Sequence, residues 1–88
     1  MNVEFTKSFI RDLKNINDKT ILNIVKITIL EIENSSSLFD INNVRFIVNS
    51  QFYYRIRVGD YRLGIKLENN VVKLIRCLHR KDIYKKFP

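Results

Sequence analysis

Hydrophobic and polar residues alternate along two neighbouring stretches of the chain, Phe52–Val58 and Tyr61–Glu68. Alternation is typical of β-strands with one buried face, because successive side chains of a strand point to opposite sides. The dipeptide Gly59-Asp60 separates the two stretches, and a two-residue loop that begins with glycine is typical of a type II′ hairpin. Counting outward from this loop predicts that Arg57 lies opposite Arg62, although like charges at such positions destabilise a sheet.

The remaining hydrophobic patterns predict two helices, further strands and a short tail. In the longer helix Ile21, Val25 and Ile32 share one side, whereas Lys19 and Lys26 fall on the opposite side. These elements are a strand at Asn2–Phe5, a helix at Lys7–Ile16, a helix from the N-cap Asp18 to about Glu33, a strand at Val44–Val48, a tight turn at Asn69-Asn70, a strand at Val71–Leu78 and a basic tail at His79–Pro88, in which Ile83, Tyr84 and Phe87 are spaced as one helical turn.

The pattern predicts one domain over residues 1–88, of the α+β class. Two N-terminal helices cover one face of an antiparallel sheet, and in outline the order is β-α-α-β-β-β with a short C-terminal tail. Gly64 leaves a dip in the opposite face because it has no side chain. The hairpin residues predicted to face the helices are Tyr54, Ile56, Val58, Tyr61, Leu63, Ile65 and Leu67, and those predicted on the opposite face are Tyr53, Arg55, Arg57, Arg62 and Lys66.

The composition is that of a soluble globular chain, with 45% apolar and 28% charged residues. The apolar runs are too short to span a bilayer, and the N-terminus lacks the pattern of a secretory signal. A lone cysteine, Cys77, has no internal disulfide partner and is expected to be a small buried hydrophobic residue. These features predict a protein of the reducing cytoplasm that does not enter membranes.

Positive charge is concentrated in the C-terminal part of the chain. Residues 1–50 carry six Lys/Arg and six Asp/Glu, whereas residues 51–88 carry ten Lys/Arg and three Asp/Glu, so the net charge of +7 lies in the second part. Such asymmetry indicates a polyanionic partner, which is a nucleic acid, an acidic protein or a membrane surface. A basic face kept only for solubility is the alternative, but it gives no reason for arginines paired across a hairpin.

Two motifs carry a resemblance to a known family. The segment YRIRVGDYR at Tyr54–Arg62 and the segment HRKDIY at His79–Tyr84 resemble the RelE/ParE superfamily of bacterial toxin–antitoxin toxins, and the RelE-like branch in particular. The resemblance covers the whole chain and implies a curved antiparallel sheet packed against two N-terminal helices. It also implies cleavage of mRNA in the ribosomal A site, and inhibition by an antitoxin.

The resemblance implies an RNA-cleaving site in which the 2′-hydroxyl attacks the adjacent phosphate. Fixed arginines suit the negative charge that develops on the phosphate oxygens. Some familiar members have lysines at the positions of Arg55 and Arg57, and one such lysine can act as a base, whereas arginine is a poor base. His79 and Tyr84 are therefore the candidates for proton transfer; the alternatives are a capping role for His79 and a packing role for Tyr84. The predicted catalytic residues are Arg55, Arg57, Arg62, His79, Arg80 and Tyr84, and the predicted RNA-binding residues are Tyr53, Lys66, Lys81, Lys85 and Lys86.

No cofactor is expected. The sequence has no Cys/His cluster with the spacing of a metal site and no glycine-rich phosphate loop. The expected partners are an antitoxin that presents an acidic or amphipathic helix, and mRNA in the ribosomal A site. Two other hypotheses stay open: a ParE-like toxin that poisons DNA gyrase, and an RNA-binding module without catalysis.

Overall fold

The computed structural model describes residues 1–48 and 50–88, and over these residues it has five strands and three α-helices. In chain order the elements are β1 (Asn2–Phe5), α1 (Lys7–Lys14), α2 (Lys19–Asn34), a 3-10 turn (Leu38–Asp40), β2 (Val44–Phe46), β3 (Tyr53–Val58), β4 (Tyr61–Glu68), β5 (Val71–His79) and α3 (Arg80–Lys86).

The strands form one sheet in the order β1-β5-β4-β3-β2. The α+β fold with two N-terminal helices is confirmed, but the sheet is mixed, because β1 pairs with β5 in parallel while the other pairs are antiparallel. The outline order predicted from the sequence is one strand short, because β2 is a separate edge strand beside β3. The four residues of β1 carry no pattern that fixes a partner or a direction, so their parallel pairing depends on where α1 and α2 place the chain.

Helices α1 and α2 lie against the face of the sheet predicted from the alternation. Four of the predicted core-facing residues are fully buried, namely Ile56, Val58, Leu63 and Ile65, and the other three, Tyr54, Tyr61 and Leu67, pack partly buried against the same core. The helices contribute fully buried side chains to that core, among them Phe9 and Ile32.

Both predicted turns have the backbone that their residues favour. Gly59 has φ of +60° and Asp60 does not have a positive φ, which fits the predicted type II′ loop. Asn69 and Asn70 have φ of 53° and 62°, so the second turn is of type I′, for which asparagine is well suited. The first turn therefore fixes the pairing of β3 with β4, and the second fixes the pairing of β4 with β5 as far as Ile65. Beyond Ile65 the register shifts by one residue of β5, so that Gly64 lies opposite Arg76.

Two helix starts are determined by side-chain caps. The Thr6 hydroxyl accepts a hydrogen bond from the Phe9 N–H at 3.2 Å, and the Asp18 carboxylate accepts one from the Thr20 N–H at 2.9 Å. These caps satisfy N–H groups that have no partner within the helix. The predicted cap at Asp18 is thus confirmed.

The structure corrects several predicted boundaries. The helix predicted at Lys7–Ile16 ends at Lys14, and the strand predicted from Phe52 begins at Tyr53, because Phe52 has a positive φ of 69°. The strand predicted at Val44–Val48 ends at Phe46, and the predicted tail is the helix α3, whose N-cap is His79. In the described part of the chain, no helix has the length and apolar character needed to cross a membrane.

A buried carboxylate joins α1 to the middle of β5. Asp12 is 7% exposed and accepts hydrogen bonds from Arg76 Nε at 2.7 Å, from Arg76 Nη2 at 3.1 Å and from the Cys77 N–H at 3.0 Å. The hydrogen bond to Asp12 raises the pKa of Arg76, which stays charged at any ordinary pH. Arg76 is therefore a structural residue of this fold.

Removal of this carboxylate should weaken the fold. We expect Asp12→Ala to lower the free energy of unfolding by about 2–3 kcal/mol, because the change leaves the Cys77 N–H and the Arg76 guanidinium without their acceptor. Equilibrium urea denaturation measures this loss. Asp40→Ala is the matched control, since Asp40 is exposed; equal stability of the two variants would contradict a structural role for Asp12.

Candidate functional site

A basic cleft of about 360 Å³ lies on the face of the sheet opposite α1 and α2, beside α3. Residues of β3 and β4 enter it because they alternate with the core residues of the same strands. We call this cleft the arginine cleft, and it is lined by Asn43, Val44, Arg45, Arg55, Arg57, Arg62 and Tyr84.

Two arginines face each other across the hairpin, as the sequence predicted, since Arg57 pairs with Arg62 in the register of β3 and β4. Neutral oxygens hold both guanidinium groups. Arg62 Nη1 donates to the carbonyls of Gly59 at 2.8 Å and Tyr61 at 2.9 Å, and Arg57 Nη2 donates to Asn43 Oδ1 at 3.4 Å. Because these acceptors carry no net charge, the contacts orient the arginines and leave their charge uncompensated.

Tyr84 on α3 reaches the cleft from above the sheet. The guanidinium carbon of Arg55 lies 4.5 Å from the centroid of the Tyr84 ring, within the distance of a cation–π contact. Tyr84 is 62% exposed, so the ring rests on Arg55 while much of the side chain stays open to solvent. The cleft thus combines fixed positive charge with a phenolic hydroxyl.

Arg45 is a cleft residue that the sequence analysis missed. It lies on β2 directly opposite Arg55, and Arg55 in turn lies opposite Gly64 on β4. The alternation Val44-Arg45-Phe46 contains the signal, because it places Arg45 on the face opposite its two hydrophobic neighbours. That signal has meaning only when the pairing of β2 with β3 is known.

The positive charge of the arginine cleft has no acidic partner among residues 1–48 and 50–88. The ion pairs there lie elsewhere: Arg76 with Asp12, and Lys66 and Lys73 with Glu68. The hydrogen bond from Lys73, and then that from Lys66, holds the pKa of Glu68 below its usual value. Lys66, which was predicted to bind RNA, forms an ion pair with Glu68, and its Nζ lies 3.3 Å from Glu68 Oε2.

His79 and Arg80 are not brought into the arginine cleft. His79 Nδ1 accepts a hydrogen bond from the Lys81 N–H at 3.2 Å, and its ring lies edge-on to Tyr61 with the centroids 5.6 Å apart. Tyr61 lies on the side of the sheet covered by α1 and α2, so His79 faces away from the arginines. Arg80 donates its backbone N–H to the Asp60 carbonyl at 2.8 Å, and its side chain is exposed.

The other predicted RNA-binding residues do not line the cleft. Tyr53 is partly buried, with its ring edge-on to Phe87 at 5.6 Å between centroids. The remaining three are exposed lysines of α3: Lys81, Lys85 and Lys86. These lysines add positive charge to α3, and their contact with RNA stays a prediction.

Cys77 is not available as a nucleophile in the folded protein. Burial, with a smaller effect from the negative charge of Asp12, raises the pKa of the Cys77 thiol to about 12, and the side chain is 1% exposed. Across the described residues, no three His, Cys, Asp or Glu side chains come together in a way that could hold a metal ion.

A comparison with known protein families identifies the family of this chain. The model of the ParE toxins of type II toxin–antitoxin systems matches residues 3–84. The chain therefore belongs to the RelE/ParE superfamily of type II toxin–antitoxin toxins.

Individual relatives place it within the RelE-like part of that superfamily. The chain is 43% identical to Toxin RelE3 of Methanocaldococcus jannaschii over 89 residues, which cover 100% of each protein. The crystal structure of the RelB–RelE antitoxin–toxin complex from Methanococcus jannaschii matches 97% of this chain and 99% of that chain, with a TM-score of 0.82 and 41% identity. The YoeB dimer from Staphylococcus aureus shares the fold, with a TM-score of 0.73 and 23% identity over 90% of this chain and 95% of that one.

Proposed function

We propose that this toxin is an endoribonuclease that cleaves mRNA on the ribosome and thereby stops translation. The observation that carries the proposal is the arginine cleft, which sets four unpaired guanidinium groups beside one tyrosine. An array of this kind suits a phosphodiester, because arginine binds phosphate oxygens through two parallel hydrogen bonds. Membership of the RelE-like group, through Toxin RelE3, supports the same activity.

The cleavage proceeds through attack of a ribose 2′-oxygen on the adjacent phosphorus. The bond from phosphorus to the 5′-oxygen breaks and a 2′,3′-cyclic phosphate is left. A base accepts the proton of the 2′-hydroxyl, and an acid donates a proton to the departing 5′-oxygen. Negative charge grows on the non-bridging oxygens during attack, so Arg57 and Arg62 stabilise the transition state more than the substrate. Their mutual repulsion in the free protein is relieved when the phosphate lies between them.

Tyr84 is the proposed proton-transfer residue. Its hydroxyl is carried on a ring that rests on Arg55, within the cleft where the phosphate would bind. His79, the other candidate from the sequence, has its Nδ1 occupied by the Lys81 N–H and lies outside the cleft. The geometry therefore favours Tyr84, and it favours a capping role for His79.

The proposed partners are an antitoxin, mRNA and the ribosome, all in the cytoplasm. The related RelE of Methanococcus jannaschii was crystallised with RelB as an antitoxin–toxin complex. For this chain, an antitoxin with an acidic or amphipathic segment would neutralise the cleft, and its binding should weaken as salt rises. Expression of this protein alone should arrest growth, and co-expression of the antitoxin should restore it.

Toe-printing of a translated message tests the proposed activity most directly. We expect new cuts within codons in the A site when purified protein and ribosomes are both present, and none when ribosomes are omitted. Intact message under both conditions would contradict the proposal. RNA binding without cuts would indicate the non-catalytic RNA-binding module.

Poisoning of DNA gyrase is the second candidate function, because the matching family model describes ParE toxins. A gyrase-directed toxin would stabilise DNA breaks made by gyrase and would leave the message uncut. The gyrase cleavage assay should therefore be run on the same preparation used for toe-printing. Stabilised breaks together with intact message would favour the ParE-like function.

Arg45 should contribute to RNA affinity through its charge. We expect Arg45→Ala to weaken binding to a single-stranded RNA whose 2′-hydroxyls are methylated. The slope of log K against log salt should fall by about 0.7, the value for the loss of one phosphate contact. Fluorescence anisotropy over a salt series measures both effects. Arg11→Ala is the matched control, because it removes the same charge from the exposed surface of α1 and should leave the slope unaltered. Equal slopes in the two variants would show that Arg45 does not contact the RNA.

A further inference from the structure

The dip that Gly64 was predicted to leave in the sheet is filled in the structure. A Cβ atom built on Gly64 would lie 2.7–2.8 Å from ring atoms of Phe87, closer than such atoms can approach. Gly64 does not have the left-handed backbone that requires glycine, so the absence of a side chain matters here for space. Phe87 is only 5% exposed, although its neighbours Lys86 and Pro88 are exposed.

This contact fastens the helix that carries Tyr84. Ile83 lies on α3, and Phe87 is the residue that caps its C-terminus; the Phe87 N–H donates to the Ile83 carbonyl at 2.9 Å. Both side chains are buried, whereas Tyr84 is 62% exposed and leans on Arg55. Two buried anchors therefore flank the one residue of α3 that enters the arginine cleft.

The strand register places the anchor beside the cleft. Gly64 is the direct partner of Arg55, so Phe87 occupies the space opposite the arginine on which the Tyr84 ring rests. The ring of Tyr53 also packs against Phe87, edge-on with an interplanar angle of 82°. Any shift of Phe87 out of this seat would release the end of α3 and move Tyr84 relative to Arg55.

We propose that Phe87, seated on Gly64, is a positioning residue that holds the Tyr84 hydroxyl in the arginine cleft. The inference rests on the proposed ribonuclease function for its effect on the reaction. Phe87 touches neither the phosphate nor the 2′-hydroxyl, and it acts only through the placement of Tyr84. Misplacement of a reacting group by about 1 Å can lower a rate by about 10²-fold.

The test disrupts the contact between Phe87 and Gly64 with a substitution at each of the two residues. Phe87→Ala empties the seat, and Gly64→Ala fills it with a methyl group. Each variant should lower the single-turnover cleavage rate by about 10- to 100-fold with little change in the RNA concentration needed for half-saturation. Phe87→Leu should restore much of the rate, and Phe39→Ala, at an exposed phenylalanine, is the matched control.

A double-mutant cycle tests whether Phe87 acts through Tyr84 or contributes to cleavage independently of it. If Phe87 acts only through Tyr84, Phe87→Ala should cost nothing further in a Tyr84→Phe background. Multiplicative losses would overturn the proposal. So would wild-type rates in both Phe87→Ala and Gly64→Ala.

A structural measurement keeps this inference separate from the proposed function. With 3-fluorotyrosine at the four tyrosines, the ¹⁹F signal that disappears in Tyr84→Phe belongs to Tyr84. That signal should shift in Phe87→Ala and stay in place in Phe39→Ala. If the wild-type protein cleaves no RNA, the proposed function fails, and an unchanged Tyr84 signal in Phe87→Ala would independently overturn the positioning role.

Discussion

Replacement of Arg62 by alanine should abolish toxicity and lower mRNA cleavage by at least about 10²-fold. The expected loss is large because hydrogen bonds to the Gly59 and Tyr61 carbonyls orient Arg62, so its charge is in place before the phosphate arrives. Preorganised charge of this kind stabilises the transition state without the cost of reorientation. Quantification of toe-print bands at matched ribosome concentration measures the loss.

The fold should survive this change. Arg62 lies on the face of β4 opposite α1 and α2, and its removal also relieves the repulsion from Arg57 across the hairpin. We expect the free energy of unfolding to change by no more than about 1 kcal/mol. Arg11→Ala removes the same charge from a distant surface and should cut normally. Full cleavage by Arg62→Ala would show that the arginine cleft is not the site of catalysis.

The hairpin shows why part of the site was predictable from sequence. Two-residue loops allow a short list of backbone conformations, and glycine at the first position selects among them. Once Gly59 fixes the loop, the register and the facing of Arg57 and Arg62 follow by counting. Burial of Ile56 and Leu63 then decides which face the arginines occupy.

Contacts between distant segments could not be obtained in this way. Arg45 joins the cleft through the pairing of β2 with β3, and the loop between these strands has no local rule for its length or path. His79 is the opposite case, because the sequence predicted it in the site and the structure places it outside the arginine cleft. The sequence places it next to Arg80 and near Tyr84, but the end of β5 turns its ring toward Tyr61 and away from the arginines.

Phe87 and Gly64 are a further case. The absence of a side chain at Gly64 predicted a dip, but no sequence pattern stated what would occupy it. Phe87 is separated from Gly64 by the whole of β5 and α3, so the contact depends on the angle at which α3 returns over the sheet. Angles of this kind follow from packing and are not encoded in a local motif.

Tyr84→Phe should lower cleavage by about 10²-fold or more, because it removes the hydroxyl proposed to transfer the proton. The phenylalanine ring can keep the contact with the Arg55 guanidinium at 4.5 Å, so the arrangement of α3 should be preserved. RNA affinity should therefore change little, and the loss should fall on the rate of the chemical step in single-turnover measurements.

His79→Asn is the decisive comparison for Tyr84→Phe, since it removes the other candidate for proton transfer. Asparagine is a good N-cap and can accept the hydrogen bond that His79 Nδ1 now takes from the Lys81 N–H at 3.2 Å. We therefore expect His79→Asn to keep α3 in place and to cleave within about threefold of the wild-type rate, well short of the loss from a missing acid or base. The reverse result, a large loss in His79→Asn beside a near wild-type rate in Tyr84→Phe, would assign proton transfer to His79 and would require the end of β5 to reorient toward the arginine cleft on the ribosome.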